Sequence, residues 1–145
     1  MKDMLNFWQP RLHSILRIVT AFLFIQHGTQ KMFGFPAAQQ GPFELASLMG
    51  AAGTLEVVGG LLLLIGLFTR PVAFILSGEM AFAYFMVHAP QSFWPMLNGG
   101  ELAVQWSFLF LFFAVAGGGA WSLDNYLPHK RRDGLLTKQR HDDRR

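Results

Sequence analysis

Within the segment TLEVVGGLLLLIGLF, residues 54–68, the only ionisable side chain is Glu56. Glu79 interrupts a second apolar stretch, and Arg17 a third. An ionised side chain at the centre of a bilayer costs about 2.5–3.5 kcal/mol on insertion scales. Three such groups in one small chain are therefore expected to be paired or to face a polar cavity. Glu56 and Glu79 fall near the midpoints of their stretches, and Arg17 lies about one and a half turns from the centre of its own. At a helical step, Ala52, Gly53, Gly59, Gly60 and Leu63 share the face of Glu56, a small-residue face that lets helix backbones approach. Arg17, Glu56 and Glu79 are thus expected to converge as a buried charge cluster, with Arg17 holding whichever carboxyl is ionised. Such a cluster can relay a proton or form a polar wall for a ligand's carbonyl group. It can also do no more than fix helix register.

Further candidate ligand-binding residues are Lys31, His27, His88, Glu101 and Gln105. His27 lies in FIQHGTQK near one end of the first stretch, and His88 ends FMVHAPQSF. Both belong to the same side of the chain, so they could face one another. Imidazole suits haem iron or a metal, but the spacing alone makes no ligand pair, and a helical wheel sets His88 opposite Glu79. No metal site and no haem is expected; hydrogen bonding to a quinone or another small ligand is the alternative role. Glu101 and Gln105 share a face at the start of the fourth stretch, where an acidic group also complements the helix dipole.

The elements that must carry these groups are four apolar stretches, at roughly 12–33, 45–68, 71–88 and 101–121. About 20 residues of helix cross a hydrocarbon core of about 30 Å. Lipid offers backbone groups no partner, so each stretch is expected to be helical. Gly34-Phe35-Pro36, Gly41-Pro42, Arg70-Pro71, His88-Ala89-Pro90 and Asn98-Gly99-Gly100 punctuate them. The first is read as a retained helix and not a signal peptide, because Arg17 interrupts it and no small-x-small cleavage site follows. No internal repeat is evident.

Composition agrees. Of the 145 residues 52% are hydrophobic and 14% charged, against about 25% charged in soluble domains. There is no cysteine, which excludes disulfides, Cys-zinc sites, iron–sulfur clusters and thiol redox within the chain. Seven of the twelve Lys and Arg residues lie in the last sixteen positions, KRRDGLLTKQRHDDRR. With Lys2, Arg11, Arg17 and Arg70 they fall on one side, leaving only Lys31 opposite, so both termini are expected in the cytoplasm. Trp8, Trp121 and Tyr126 would form the inner aromatic belt, and Phe93 and Trp94 the outer one. The expected fold is all-α: an integral membrane four-helix bundle over 1–125, followed by a basic, mobile cytoplasmic tail over 126–145. The tail is expected to touch anionic lipid headgroups, and no nucleic-acid partner is expected.

The residues also resemble a known family. The TRP turn at 69–71, GGE at 99–101 and WSLD at 121–124, with Arg17, His27-Gly28, Lys31, Gly34, Glu56, Gly59-Gly60 and Gly66, resemble the ordered features of DoxX-family membrane proteins. The resemblance covers roughly residues 10–125. It implies a four-helix protein of the bacterial inner membrane, in a family that includes a membrane subunit of thiosulfate:quinone oxidoreductase and members linked to redox or stress-response partners. It carries over no catalytic residue. The expected function is a membrane subunit of a quinone-linked oxidoreductase or redox-stress system, with a soluble or peripheral partner supplying the redox centre. No intrinsic cofactor is expected; quinone is the candidate ligand. The alternatives are a small proton-coupled carrier, which four spans could form only as a homo-oligomer, and a non-catalytic membrane scaffold.

Overall fold

The computed structural model describes residues 1–37 and 44–127. The Gly41-Pro42 break and the basic tail beyond Leu127, with His129 and His141, lie outside the described residues. Among the described residues all regular structure is helical. Helix α1 spans Lys2–Phe33, α2 Leu48–Ile65, α3 Thr69–Ala83, α4 Pro95–Asn98, α5 Glu101–Ala116 and α6 Leu123–Tyr126. Helix α3 continues through a π-helical turn, Tyr84–His88.

Two helices are long and apolar enough to cross a membrane, Leu48–Ile65 and Thr69–His88, and α5 is apolar but shorter, at 16 residues. Helix α1 begins ten residues earlier than the apolar pattern indicates, and Pro10 sits inside it. Proline removes one intrahelical donor, but the Pro10 carbonyl is well used. It accepts from the Ser14 hydroxyl at 2.9 Å and from the Ala120 amide at 3.1 Å. Helix α5 ends earlier than expected, at Ala116. The glycines that follow turn the chain sharply, with φ of 86° at Gly117 and 77° at Gly119, values that favour residues without a Cβ.

Helices α1 and α2 pack along each other, as do α3 and α5, while α2 meets α3 over a shorter contact. The close approach of α1 to α2 is set by glycine. A methyl group at Gly28 would lie 2.8 Å from the Val57 amide nitrogen and 2.9 Å from Glu56 Cβ, and one at Gly60 would lie 2.5 Å from Ile25. The shared core contains Phe24, Leu63, Leu76, Met80, Phe110 and Phe113. Phe24 joins α1 to α5 through edge-on contacts with Phe110 and Trp106, at centroid distances of 4.7 and 5.2 Å, a favoured aromatic geometry. Ser77 and Ser107 exchange hydroxyl-to-carbonyl bonds of 2.8 and 3.1 Å between α3 and α5.

Polarity is distributed inside out. Phe22, Phe74, Phe85, Phe108 and Val115 are exposed, whereas Arg17 and Glu56 are buried. Exposed apolar surface on this scale is what a lipid-facing helix presents and a soluble monomer avoids.

Candidate functional site

Arg17 and Glu56 serve two separate sites at different depths of the molecule. Arg17 is completely buried. Its guanidinium donates to the carbonyls of Leu63, Leu64 (2.7 Å), Gly118 (2.8 Å) and Trp121 (2.6 Å). It therefore caps the C-terminal end of α2, where carbonyls lack intrahelical donors and a cation is favoured, and ties that end to the glycine loop after α5. The expectation that Arg17 holds a glutamate is corrected here. Its fork of donors matches several fixed carbonyls at once, and α2 presents them at its end.

The same end carries related ties. Arg70, at the start of α3, donates to the Ala114 and Val115 carbonyls at the end of α5. Asp124 accepts from the Phe68 and Thr69 amides, each at 2.8 Å, and so caps the N-terminus of α3 from a distant segment. Burial acts to raise the Asp124 carboxyl, but the amide bonds from Thr69 and Phe68 and the charge of Arg17 outweigh it. Its pKa lies below the ordinary carboxylate value. His13 lies 2.7 Å from the Gly117 carbonyl through Nε2. This end is a lattice of backbone ties.

The other end holds the candidate site. Glu56, 2% exposed, forms an ion pair with Lys31 through Oε1; the Lys31 side chain is 27% exposed. Lys31 follows Gly28 by three residues, and the glycine-mediated contact brings α1 close enough for the ammonium to reach α2. Beside the pair is a cavity of about 520 Å³, lined by Lys31, Ser47, Glu56, Glu79, Met80 and His88 among others. Its apolar rim includes Leu48, Met49, Phe82 and Val87, all exposed on the outer surface of the helices. This volume falls within the range of about 300–1,000 Å³ usual for small-molecule sites. Glu56 Oε2 and both carboxyl oxygens of Glu79 are buried and have no hydrogen-bond partner among the described residues. Buried polar atoms normally find partners, so three orphaned oxygens at one cavity mark a place for a ligand or water.

His88 also lines this cavity, although a regular helix would set it opposite Glu79. The π-helical turn Tyr84–His88 supplies the difference. Its wider turn accommodates an extra residue and re-aims everything beyond it. His88 Nδ1 lies 2.9 Å from the Asn98 carbonyl, which holds the ring. The sequence reading missed Asn98 as that partner; the Asn-Gly-Gly turn marked only a break.

The remaining candidates lie elsewhere. The His27 ring packs edge-on against Trp106 at a centroid distance of 4.7 Å, and His27 is not among the residues lining the cavity. Glu101 and Gln105 are exposed on α5 and also stand apart from it, with Glu101 in the first turn of the helix. Among the described residues no group of three or more His, Cys, Asp or Glu side chains is arranged to hold a metal ion.

Comparison with known proteins adds an independent line. The DoxX family model matches residues 12–89. An uncharacterized protein of Haemophilus influenzae is 47% identical over 123 residues, spanning 81% of this chain and 92% of the relative. The inner membrane protein YqjF of Escherichia coli is 30% identical over 125 residues, spanning 80% and 92%. The uncharacterized membrane protein Rv3486 of Mycobacterium tuberculosis is 27% identical over 146 residues, spanning 85% and 90%. No solved structure matches the chain.

Proposed function

The chain belongs to the DoxX family and is an integral membrane protein, and from that premise we propose that it is a multi-pass protein of the bacterial inner membrane serving a quinone-linked redox or redox-stress system as its membrane subunit. Helices α1, α2, α5 and α3 with its π turn are the four spans of this bundle. Both termini face the cytoplasm, in keeping with Arg17 and Arg70 at one end and Lys31 at the other.

The observation that carries the functional reading is the cavity. Its rim is apolar and exposed, and its wall is a buried ion pair beside a second carboxyl. That combination suits an amphipathic ligand with a small polar head and a long apolar tail. Leu48, Met49, Phe82 and Val87 would take the tail. Lys31, Glu56, Glu79 and His88 would surround the head. When bound, a quinone supplies a carrier for two electrons and two protons. The chain's own part is to bind and orient that head and to hold or release a proton at Glu79 or Glu56. The chain has no cysteine, so a soluble or peripheral partner would provide the other redox centre. The same buried carboxyls also favour a second reading, a small proton-coupled carrier; its four spans would act as a homo-oligomer.

The test is extraction and mass spectrometry of small molecules from protein purified in mild detergent. A stoichiometric quinone, lost in Glu56→Gln and retained in His27→Ala, is the expected result. A folded protein that carries no quinone and takes none up refutes the reading. Proton-coupled uptake by proteoliposomes lacking quinone would move the assignment to the carrier.

A further inference from the structure

The cavity's polar groups are unequal in kind, and this bears on the oxidation state of what it holds. Resting on the quinone-class reading above, we propose that the cavity takes the reduced, hydroxyl-bearing diol in preference to the oxidised dione. The three orphaned buried oxygens, Glu56 Oε2 and Glu79 Oε1 and Oε2, are the polar atoms most in need of a partner. A carboxylate only accepts hydrogen bonds, and a protonated carboxyl keeps one oxygen as acceptor. With one proton shared between the two carboxyls, at least one of these three oxygens still requires a donor.

The neighbouring groups do not supply enough donors. Lys31 gives an N–H to Glu56 Oε1, and its side chain is 27% exposed, so water can meet its remaining protons. His88 Nδ1 faces a carbonyl oxygen, which can only accept, so Nδ1 carries the hydrogen. In the neutral imidazole Nε2 is then an acceptor as well. A dione brings two further acceptors to this wall and leaves the carboxyl oxygens unmatched. A diol brings two O–H donors. Glu56 is only 2% exposed, so its unpaired oxygen depends on a partner within the cavity. A site built to bond a hydroxyl can discriminate strongly against the analogue that lacks it, because its own buried groups are then left unpaired.

The test uses the full chain in mild detergent under anaerobic conditions and three probes of one shape: a short-tailed benzoquinol, the matching benzoquinone, and the quinol's dimethyl ether. The quinol is expected to bind at least about tenfold more tightly than either of the others. For a two-electron couple, a tenfold preference raises the midpoint potential of the bound pair by about 30 mV. Glu79→Gln adds a donor and removes an acceptor, and is expected to cut the preference to below about threefold. A quinone that binds as tightly as the quinol, or an ether that matches it, overturns the proposal while leaving the quinone-class reading intact. If none of the three probes binds, the quinone-class reading fails and this proposal fails with it. Should Glu79→Gln not fold, the three-probe comparison on the native chain decides.

Discussion

Glu56 is predicted to be energetically coupled to Lys31 and uncoupled from Arg17, although both cations stand on the same helix. Arg17 and Lys31 are fourteen residues apart on α1, roughly 21 Å along its axis. The Arg17 guanidinium sits at the Leu63 and Leu64 carbonyls, seven to eight residues beyond Glu56 on α2, or roughly 10–12 Å. Sites farther apart than about 7–10 Å with no shared partner are additive to within about 0.5 kcal/mol, whereas contacting residues couple by about 0.5–3 kcal/mol. Arg17→Met alone strips its donor from four carbonyls, of which that of Leu63 keeps the Gly66 amide and those of Leu64 and Trp121 are only part-buried, and an orphaned buried acceptor costs about 1–3 kcal/mol. The loss should be about 2–6 kcal/mol, essentially unchanged in a Glu56→Gln background. Lys31→Met should be costly with Glu56 present and much milder in the Glu56→Gln background, because a buried carboxylate deprived of its partner is the expensive species. Reversible unfolding in detergent, run as two double-mutant cycles, measures both couplings. Coupling above about 1 kcal/mol for Arg17–Glu56, with none for Lys31–Glu56, would falsify the division into two sites.

Three further outcomes follow from the same geometry. Asp124→Ala should cost about 1 kcal/mol near neutral pH, the usual value of a lost helix cap. The folded-state pKa of Asp124 is depressed, so its contribution is present above the unfolded value of about 3.9 and fades as pH falls through the lower folded value. Unfolding titrations from pH 7 to pH 2 should therefore bring native and variant together in acid. Gly28→Ala should destabilise by about 1–3 kcal/mol, because its methyl group meets α2 backbone that cannot yield locally. Gly78→Ala, with nothing within 4 Å, should be neutral or slightly stabilising, and thermal unfolding of the pair checks both.

The apolar stretches around Glu56 and Glu79 were legible because burial in lipid imposes long unbroken runs, and those runs became α2 and α3. The small-residue face of α2 was legible for a related reason: Gly53 and Gly60 have no purpose there except close approach. The partner of Arg17 was not. A helical wheel orders residues around an axis but says little about how far along the neighbouring helix a long side chain reaches, and backbone carbonyls leave no mark in sequence. The position of His88 was hidden by the π turn, since any wheel drawn at a constant 100° per residue fails beyond it. The early end of α5 was written in the glycines at 117–119, since positive φ at Gly117 and Gly119 ends the helix before its apolar pattern does.

The bonds of Arg17 also impose a timetable. Its first acceptors, on Leu63 and Leu64, are made 46 and 47 residues after it; its last, on Gly118 and Trp121, come 101 and 104 residues after it. At about 5–20 residues per second, synthesis of the stretch between the two sets takes roughly 3–12 s. Throughout it the nascent first hairpin holds a guanidinium that is only half satisfied. The glycine loop arrives last and completes the set, so the turn after α5 works as a latch on α1. A ribosome that stops before Gly118 leaves behind a membrane-embedded cation with free donors, a visible mark of an unfinished chain for the cell's quality control.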